Sequence, residues 1–274
     1  MTNQIPYISY LLQFADNALI HGQRLAEWTG HAAVLEQDIA LTNISLDQIG
    51  QARALYQYTA EKINQLPINE SAKLFKAPLL TPKLGSLTED DLAFLRDAWD
   101  FKNLLLLEQP NGDWDTTLVK SFYYDHFIVL VFEDIIHHST DLKLKSIAEK
   151  SLKESLYHRR WSSEWIIRLG DGTKLSHEKT QTALLELLPY TGEMFEPSKA
   201  EELLEGSGQT LDLKNIQKQW LMNIEEVLEE ATLNLPDEMP WMQSGGKNGI
   251  HSEHLGYILA EMQFMQRSYP NMEW

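Results

Sequence analysis

Five side chains in this sequence have the types and positions that buried metal chemistry would need: Asp16, Asp47, Asp125, Glu154 and His158. A helical di-iron site takes one Glu from each of two helices and a Glu-x-x-His pair from each of two others, because positions i and i+3 share a helix face and can grip two ions. No Glu here is followed by His three residues later, and the nearest variant, Asp134 with His137, falls close to a helix end. Asp16 stands at helical spacing from Leu12, Leu19 and Ile20, and Asp125 from Phe122, Ile128 and Val129, so both are expected to face an interior. Gly50, after Asp47, offers no ligand, while Tyr157 and His158 follow Glu154. A carboxylate buried alone is costly, so each needs a hydrogen bond, a cation or a proton. The expected arrangement is a polar network in which Arg, Tyr or His replaces the metal ions; a degenerate site holding one ion is the alternative. Asp is one methylene shorter than Glu and reaches a bridging position poorly. No catalytic residue and no metal ligand is therefore assigned.

A second cluster, His251-Ser252-Glu253-His254, follows the run Gly245-Gly246-Lys247-Asn248-Gly249. Two His at i and i+3 with a Glu between them could bind a metal, but the expected reading is a helix start with Ser252 as its cap. The glycines are not a dinucleotide fingerprint, because no strand precedes them.

These side chains must be positioned by helices, since apolar residues recur at three- and four-residue spacing and no sustained period-two stretch is found. Helices are expected over 7–28 and 35–64, and the short break at Thr29-Gly30-His31 makes them an antiparallel hairpin. Pro67, Pro78, Pro82 and Gly85 interrupt 65–86, which reads as a crossover. Thr88 with Glu89, Asp90 and Asp91 predicts a capped helix reaching residue 107. A second long hairpin is expected over 114–138 and 142–169, then shorter helices near 176–190, 211–230 and 252–267. The fold class is all-α: a ferritin-like four-helix bundle with a long crossover and additional C-terminal helices, read as one domain over 1–274.

Whole-chain properties narrow the function classes. Cysteine is absent, which removes disulfides, thiolate metal sites and a Cys nucleophile, and makes the reducing cytoplasm the expected location. The first six residues lack the basic start and apolar stretch of a signal peptide, and the apolar run 127–132 is too short to span a bilayer. Forty acidic against 23 basic residues give a net charge of −17, which repels a phosphate backbone and argues against nucleic acid. Eleven of the acids fall in 196–238 against Lys199, Lys214 and Lys218, a pattern read mainly as a solvated face.

Several motifs, taken together, are more specific than any of these patterns. They include Gly22-Gln23-Arg24-Leu25-Ala26-Glu27-Trp28 with Gly30-His31, Asp38-Ile39-Ala40-Leu41, and Leu46-Asp47 with Gly50-Gln51-Ala52-Arg53. Leu107-Glu108-Gln109-Pro110-Asn111-Gly112, the segment 154–158, the segment 168–173 and the stretch 249–262 continue the series. On these the sequence resembles, nearly end to end, the structural ferritin-like subunits of bacterial ring 1,2-phenylacetyl-CoA epoxidases. The resemblance implies a role in aerobic phenylacetate breakdown as a non-catalytic subunit without cofactor. A homologous partner subunit would hold the di-iron centre that inserts one oxygen atom into the ring of phenylacetyl-CoA. A reductase component with flavin and iron–sulfur groups would supply electrons from NADPH. The crossover at 66–86 is longer than this family leads one to expect. Candidate contacts to partner or substrate are Trp28, Glu36, Asp38, Trp161, Trp165, His251, Glu253 and His254, the tryptophans because the chain's eight exceed what one core needs. Two other functions fit the residues: a stand-alone ferritin-like oxidase with an irregular carboxylate site, and a helical module that binds a CoA thioester or a protein.

Overall fold

The computed structural model describes residues 4–269 and Met272, so the first three of the residues read for a signal peptide, Met1, Thr2 and Asn3, lie outside the described residues. The α-helices are α1 Gln4–Ala26, α2 Leu35–Asn64, α3 Ile68–Ser71, α4 Glu89–Phe94, α5 Leu105–Glu108, α6 Trp114–His138, α7 Leu142–Gly170, α8 Lys174–Leu187, α9 Lys199–Leu203, α10 Leu213–Glu230, α11 Glu253–Met262 and α12 Phe264–Ser268. No strand occurs among the described residues. The fold is all-α with the ferritin-like order of two long hairpins separated by a crossover and followed by further helices. No helix among the described residues is long and apolar enough to cross a membrane.

The chain divides into two compact units, the first formed by Met1–Gln109, Ser198–Glu205 and Gly245–Trp274, the second by Pro110–Pro197 and Gly206–Ser244. In the first unit α1 and α2 pack along each other. Gly22 of α1 lies against Ser45, Gln48 and Ile49 of α2, and Ser45 donates to the Gly22 carbonyl at 2.8 Å. Six residues earlier, Asp16 meets Tyr56, so the register runs antiparallel. α1 is buried on most of its circumference because α5, α9 and α11 pack against it as well.

In the second unit α6 is the central helix, packed by α7, α8 and α10. α7 faces it with a stripe at three- and four-residue spacing that includes Ala148, Ser151, Ser155 and Ser162, side chains small enough to let two helix backbones approach. Gly170 closes α7 against the end of α10: a Cβ there would run into the backbone carbonyl of Ala231. Trp220 of α10 is fully buried and donates its indole N–H to the Tyr123 carbonyl at 3.0 Å, while the Tyr123 hydroxyl donates to the Leu184 carbonyl at 3.2 Å. Each apolar side chain so buried contributes about 1.5–3 kcal/mol.

The expected long hairpins are present, but the single helix expected over 88–107 is not. The capping box at Thr88 and Asp91 forms and starts α4, which ends at Phe94; a short 3-10 turn at Ala98–Asp100 and α5 follow. Arg96, Phe101, Asn103, Leu104 and Leu106 are all buried, more sides than one straight surface helix can hide. The Asp100 side chain, in that 3-10 turn, accepts the backbone N–H groups of Lys76 and Ala77 at 2.9 and 3.1 Å.

Candidate functional site

In the first unit, Asp16, one of the two carboxylates expected to face the interior, stands in a buried ion pair. Asp16 on α1 is fully buried and accepts at both oxygens: Oδ1 from the Tyr56 hydroxyl at 2.5 Å and from Arg96 Nη2, Oδ2 from Arg96 Nη1 at 3.1 Å and from the Lys102 backbone N–H at 2.7 Å. Arg96 is fully buried too. Its other donors go to the Leu92 carbonyl at 2.5 Å, the Asp100 carbonyl at 3.1 Å and the Tyr56 hydroxyl at 2.9 Å, so all five N–H groups have acceptors. The Phe101 ring covers the guanidinium, with 4.1 Å to its centroid. Burial alone would push the Arg96 pKa down, but the Asp16 carboxylate and Tyr56 outweigh it and hold the cation. Burial, then the Asp16 charge, raises the Tyr56 pKa well above its ordinary value, so the phenol keeps its proton and donates it. A metal ion at Asp16 would have to displace a guanidinium with every donor engaged.

Glu108, at the end of α5, organises a second buried group. It is fully buried and its Oε1 accepts the Ser252 backbone N–H at 2.7 Å; its Oε2 faces His251 Nδ1 at 3.1 Å and Asn103 Nδ2 at 3.3 Å. His251 Nε2 lies 2.9 Å from the Phe101 carbonyl. The imidazole is thus held from both ring nitrogens, between the Glu108 carboxyl and the Phe101 carbonyl. Arg24 donates to the Glu108 carbonyl at 2.7 Å. Nearby, Lys247 pairs with Glu201 at 2.7 Å with both side chains nearly buried. Gly249 has φ of +83°, and a Cβ there would strike the Trp99 carbonyl, so that position of the glycine run requires glycine.

In the second unit, Asp125 and His126 are neighbours on α6 and both are buried. Burial pushes the Asp125 carboxyl up to about 8, against the opposing effects of a Ser162 hydrogen bond and the Arg159 charge. Burial, and then Arg159, pushes His126 down to about 3; its Nε2 pairs with the Ser163 hydroxyl at 2.9 Å. At neutral pH the two therefore stand side by side uncharged. His158 on α7 is fully buried, while Glu154 on α7 and Asp47 on α2 are only partly so. Among the described residues no group of three or more His, Asp or Glu side chains is placed to hold a metal ion.

The sequence-derived contact residues separate into distinct places. Trp161 and Trp165 are half-buried and meet Trp114 edge-on, with ring centroids 6.2 and 5.7 Å away, and Arg168 lies over the Trp165 ring. Trp28 is half-buried in the α1–α2 turn, where Gly30 N–H donates to Asp38 at 2.8 Å and Thr29 meets Thr42 at 3.1 Å. Glu36 and Glu253 are exposed. His254 packs beside the Tyr257 ring, whereas His251 turns to Glu108. Ser252 occupies the N-cap position of α11 but its side chain makes no cap bond, a correction to its expected role: its backbone N–H is held by Glu108 instead. Sequence reasoning did not single out Tyr56 or Arg96, for which no local signal exists. Glu108 stood inside a motif but without a role.

An all-helical chain with two long hairpins separated by a crossover, and buried carboxylates answered by protein donors, is a protein of the ferritin-like helical-bundle type. The chain belongs to the family of phenylacetic acid catabolic proteins, whose model matches residues 2–274. It is 40% identical over 266 residues to a subunit of the 1,2-phenylacetyl-CoA epoxidase of Escherichia coli (strain K12), a match covering 97% of this chain and 98% of that protein.

Proposed function

We propose that this chain is the non-catalytic structural subunit of a cytoplasmic phenylacetyl-CoA 1,2-epoxidase, supporting a homologous subunit that carries the di-iron centre. The whole chain, 1–274, is read as one ferritin-like domain. The observation that carries the reading is the Arg96 guanidinium seated on Asp16 with every donor used, since it gives a ligand position a permanent protein cation. The family and the epoxidase relative supply the reaction context. Oxygen insertion then belongs to the partner, and NADPH with flavin and iron–sulfur groups to a reductase component. A metal-free homologue assists by burying one face of the partner, fixing the helices that bear its ligands and narrowing access to its centre.

The test is iron content and phenylacetyl-CoA turnover, measured on this chain alone and on this chain co-expressed with the di-iron subunit, after identical reconstitution with iron. Metal-poor, inactive chain that restores solubility or turnover to the partner supports the proposal. Stoichiometric iron with turnover in the isolated chain overturns it.

A further inference from the structure

α2 is unusual in carrying apolar side chains on two faces. One face is buried and includes Leu41, Ile44, Gln48, Ala52 and Leu55, with Ser45, Gln48 and Ile49 lying against Gly22 of α1. The other runs along 35, 39, 42 and 46, in steps of four and three residues that suit a helix meeting another helix, before Ile49 turns in against Gly22 of α1 and Arg53 pairs with Glu89. This run is largely apolar and open: Leu35 is 68% exposed, Ile39 52% and Leu46 60%, with Val34 exposed just before the helix. Gly50 continues the surface, and a Cβ placed there meets nothing within 4 Å, leaving room for a close approach. A polar face would be the ordinary outcome for the solvent side of a helix 30 residues long.

Charge selects the occupant. Residues 35–50 contain Glu36, Asp38 and Asp47 and no Lys or Arg, on a chain whose net charge is −17. A second copy would bring an equally acidic face against this one, and like charges across a contact oppose association. An apolar helix with basic flanks is complementary in both respects. We infer that the Leu35–Ile39–Leu46 seam of α2, with its acidic border, docks an apolar helix of the homologous di-iron subunit whose flanks carry Lys or Arg. This inference rests on the function proposed above and adds the docking face. Trp28, in the turn that hydrogen-bonds to Asp38 and Thr42, borders the same end of the seam.

The experiment co-expresses the chain with the tagged di-iron subunit and measures the dissociation constant and the sedimentation of the isolated chain. The variants are Ile39→Glu with Leu46→Glu, Glu36→Lys, and a control, Leu142→Glu, at an apolar residue 81% exposed in the second unit. Because the altered residues face solvent, helicity and unfolding temperature of the isolated chain should stay at wild-type values, and circular dichroism checks this. The expected result is at least about tenfold weaker association for both α2 variants, a lysine effect that shrinks with added salt, and no change for the control. Wild-type binding that survives both α2 changes overturns the docking face but not the proposed function. Absence of wild-type binding overturns the function and the face with it. An isolated chain that self-associates through Leu46, or a lost contact on Leu142→Glu instead, also overturns the inference.

Discussion

Replacing Asp125 by Asn should change the shape of the stability–pH curve, and the neighbouring pair on α6 determines how. The folded Asp125 carboxyl titrates at about 8 against 3.8 for an ordinary Asp, so its contribution to stability is complete below 3.8 and is lost as pH rises through about 8. His126 works the other way: its folded value of about 3 lies below the ordinary 6.5, so its contribution is present above 6.5 and is lost as pH falls toward 3. Between roughly pH 4 and 6.5 the unfolded chain has released one proton and bound another, so the two slopes cancel. Above pH 6.5 only Asp125 remains, and at about 1.36 kcal/mol per pH unit the wild-type protein loses roughly 2 kcal/mol by pH 8. Asp125→Asn removes that loss and uncovers the His126 slope, so its stability climbs by roughly 3 kcal/mol from pH 4 to 6.5 and then levels. Urea unfolding at half-unit steps from pH 4 to 8.5 measures both curves, and the difference between them cancels all other titrating groups. Parallel curves for the two proteins would refute the assignment of a neutral, buried carboxyl.

Other perturbations have equally definite signs. Arg96→Met leaves the Asp16 carboxylate buried without its cation and should cost about 3–5 kcal/mol in chemical denaturation; an unchanged midpoint would mean the pair is dispensable. Gly170→Ala drives a methyl group into the Ala231 carbonyl and should cost about 1–3 kcal/mol, whereas Gly50→Ala, on an open helix face, should stabilise the isolated chain by about 0.5–1 kcal/mol in thermal melts. His251→Ala strips Glu108 and the Phe101 carbonyl of their imidazole partner and should cost about 1–3 kcal/mol, with hydrogen exchange accelerated first in α11 if the contact anchors that helix.

The long hairpins were legible because breaks in the three- and four-residue pattern mark their ends locally: the expected spans 35–64 and 114–138 coincide with α2 and α6. The segment 88–107 was not, although its start signal at Thr88 was correct. Local propensity there favours helix, and what breaks it is a set of partners far away in sequence: Asp16 for Arg96, Lys76 and Ala77 for Asp100. The candidate site divides in the same way. Asp16 and Asp125 could be read as interior from their apolar neighbours, but Arg96, 80 residues from Asp16, had no signal that linked them. Ser252 shows the opposite error, a favourable local cap residue whose backbone is taken by Glu108, 144 positions earlier.

Glu108 also has a consequence for biosynthesis. The first unit draws on segments far apart in the chain, and the contacts that complete it, Glu108 with His251 and Glu201 with Lys247, wait until residues 247–251 have left the ribosome. The Glu108 side chain must therefore persist without its eventual imidazole partner while more than a hundred residues are synthesised. At about 5–20 residues per second that interval lasts many seconds, long enough for the nascent hairpin α1–α2 to need shielding of its apolar seam. A chain truncated before Gly245 would release a half-finished first unit together with a second unit whose own segments are all present, which makes C-terminal nonsense changes more damaging to this protein than their distance from Asp16 along the sequence suggests.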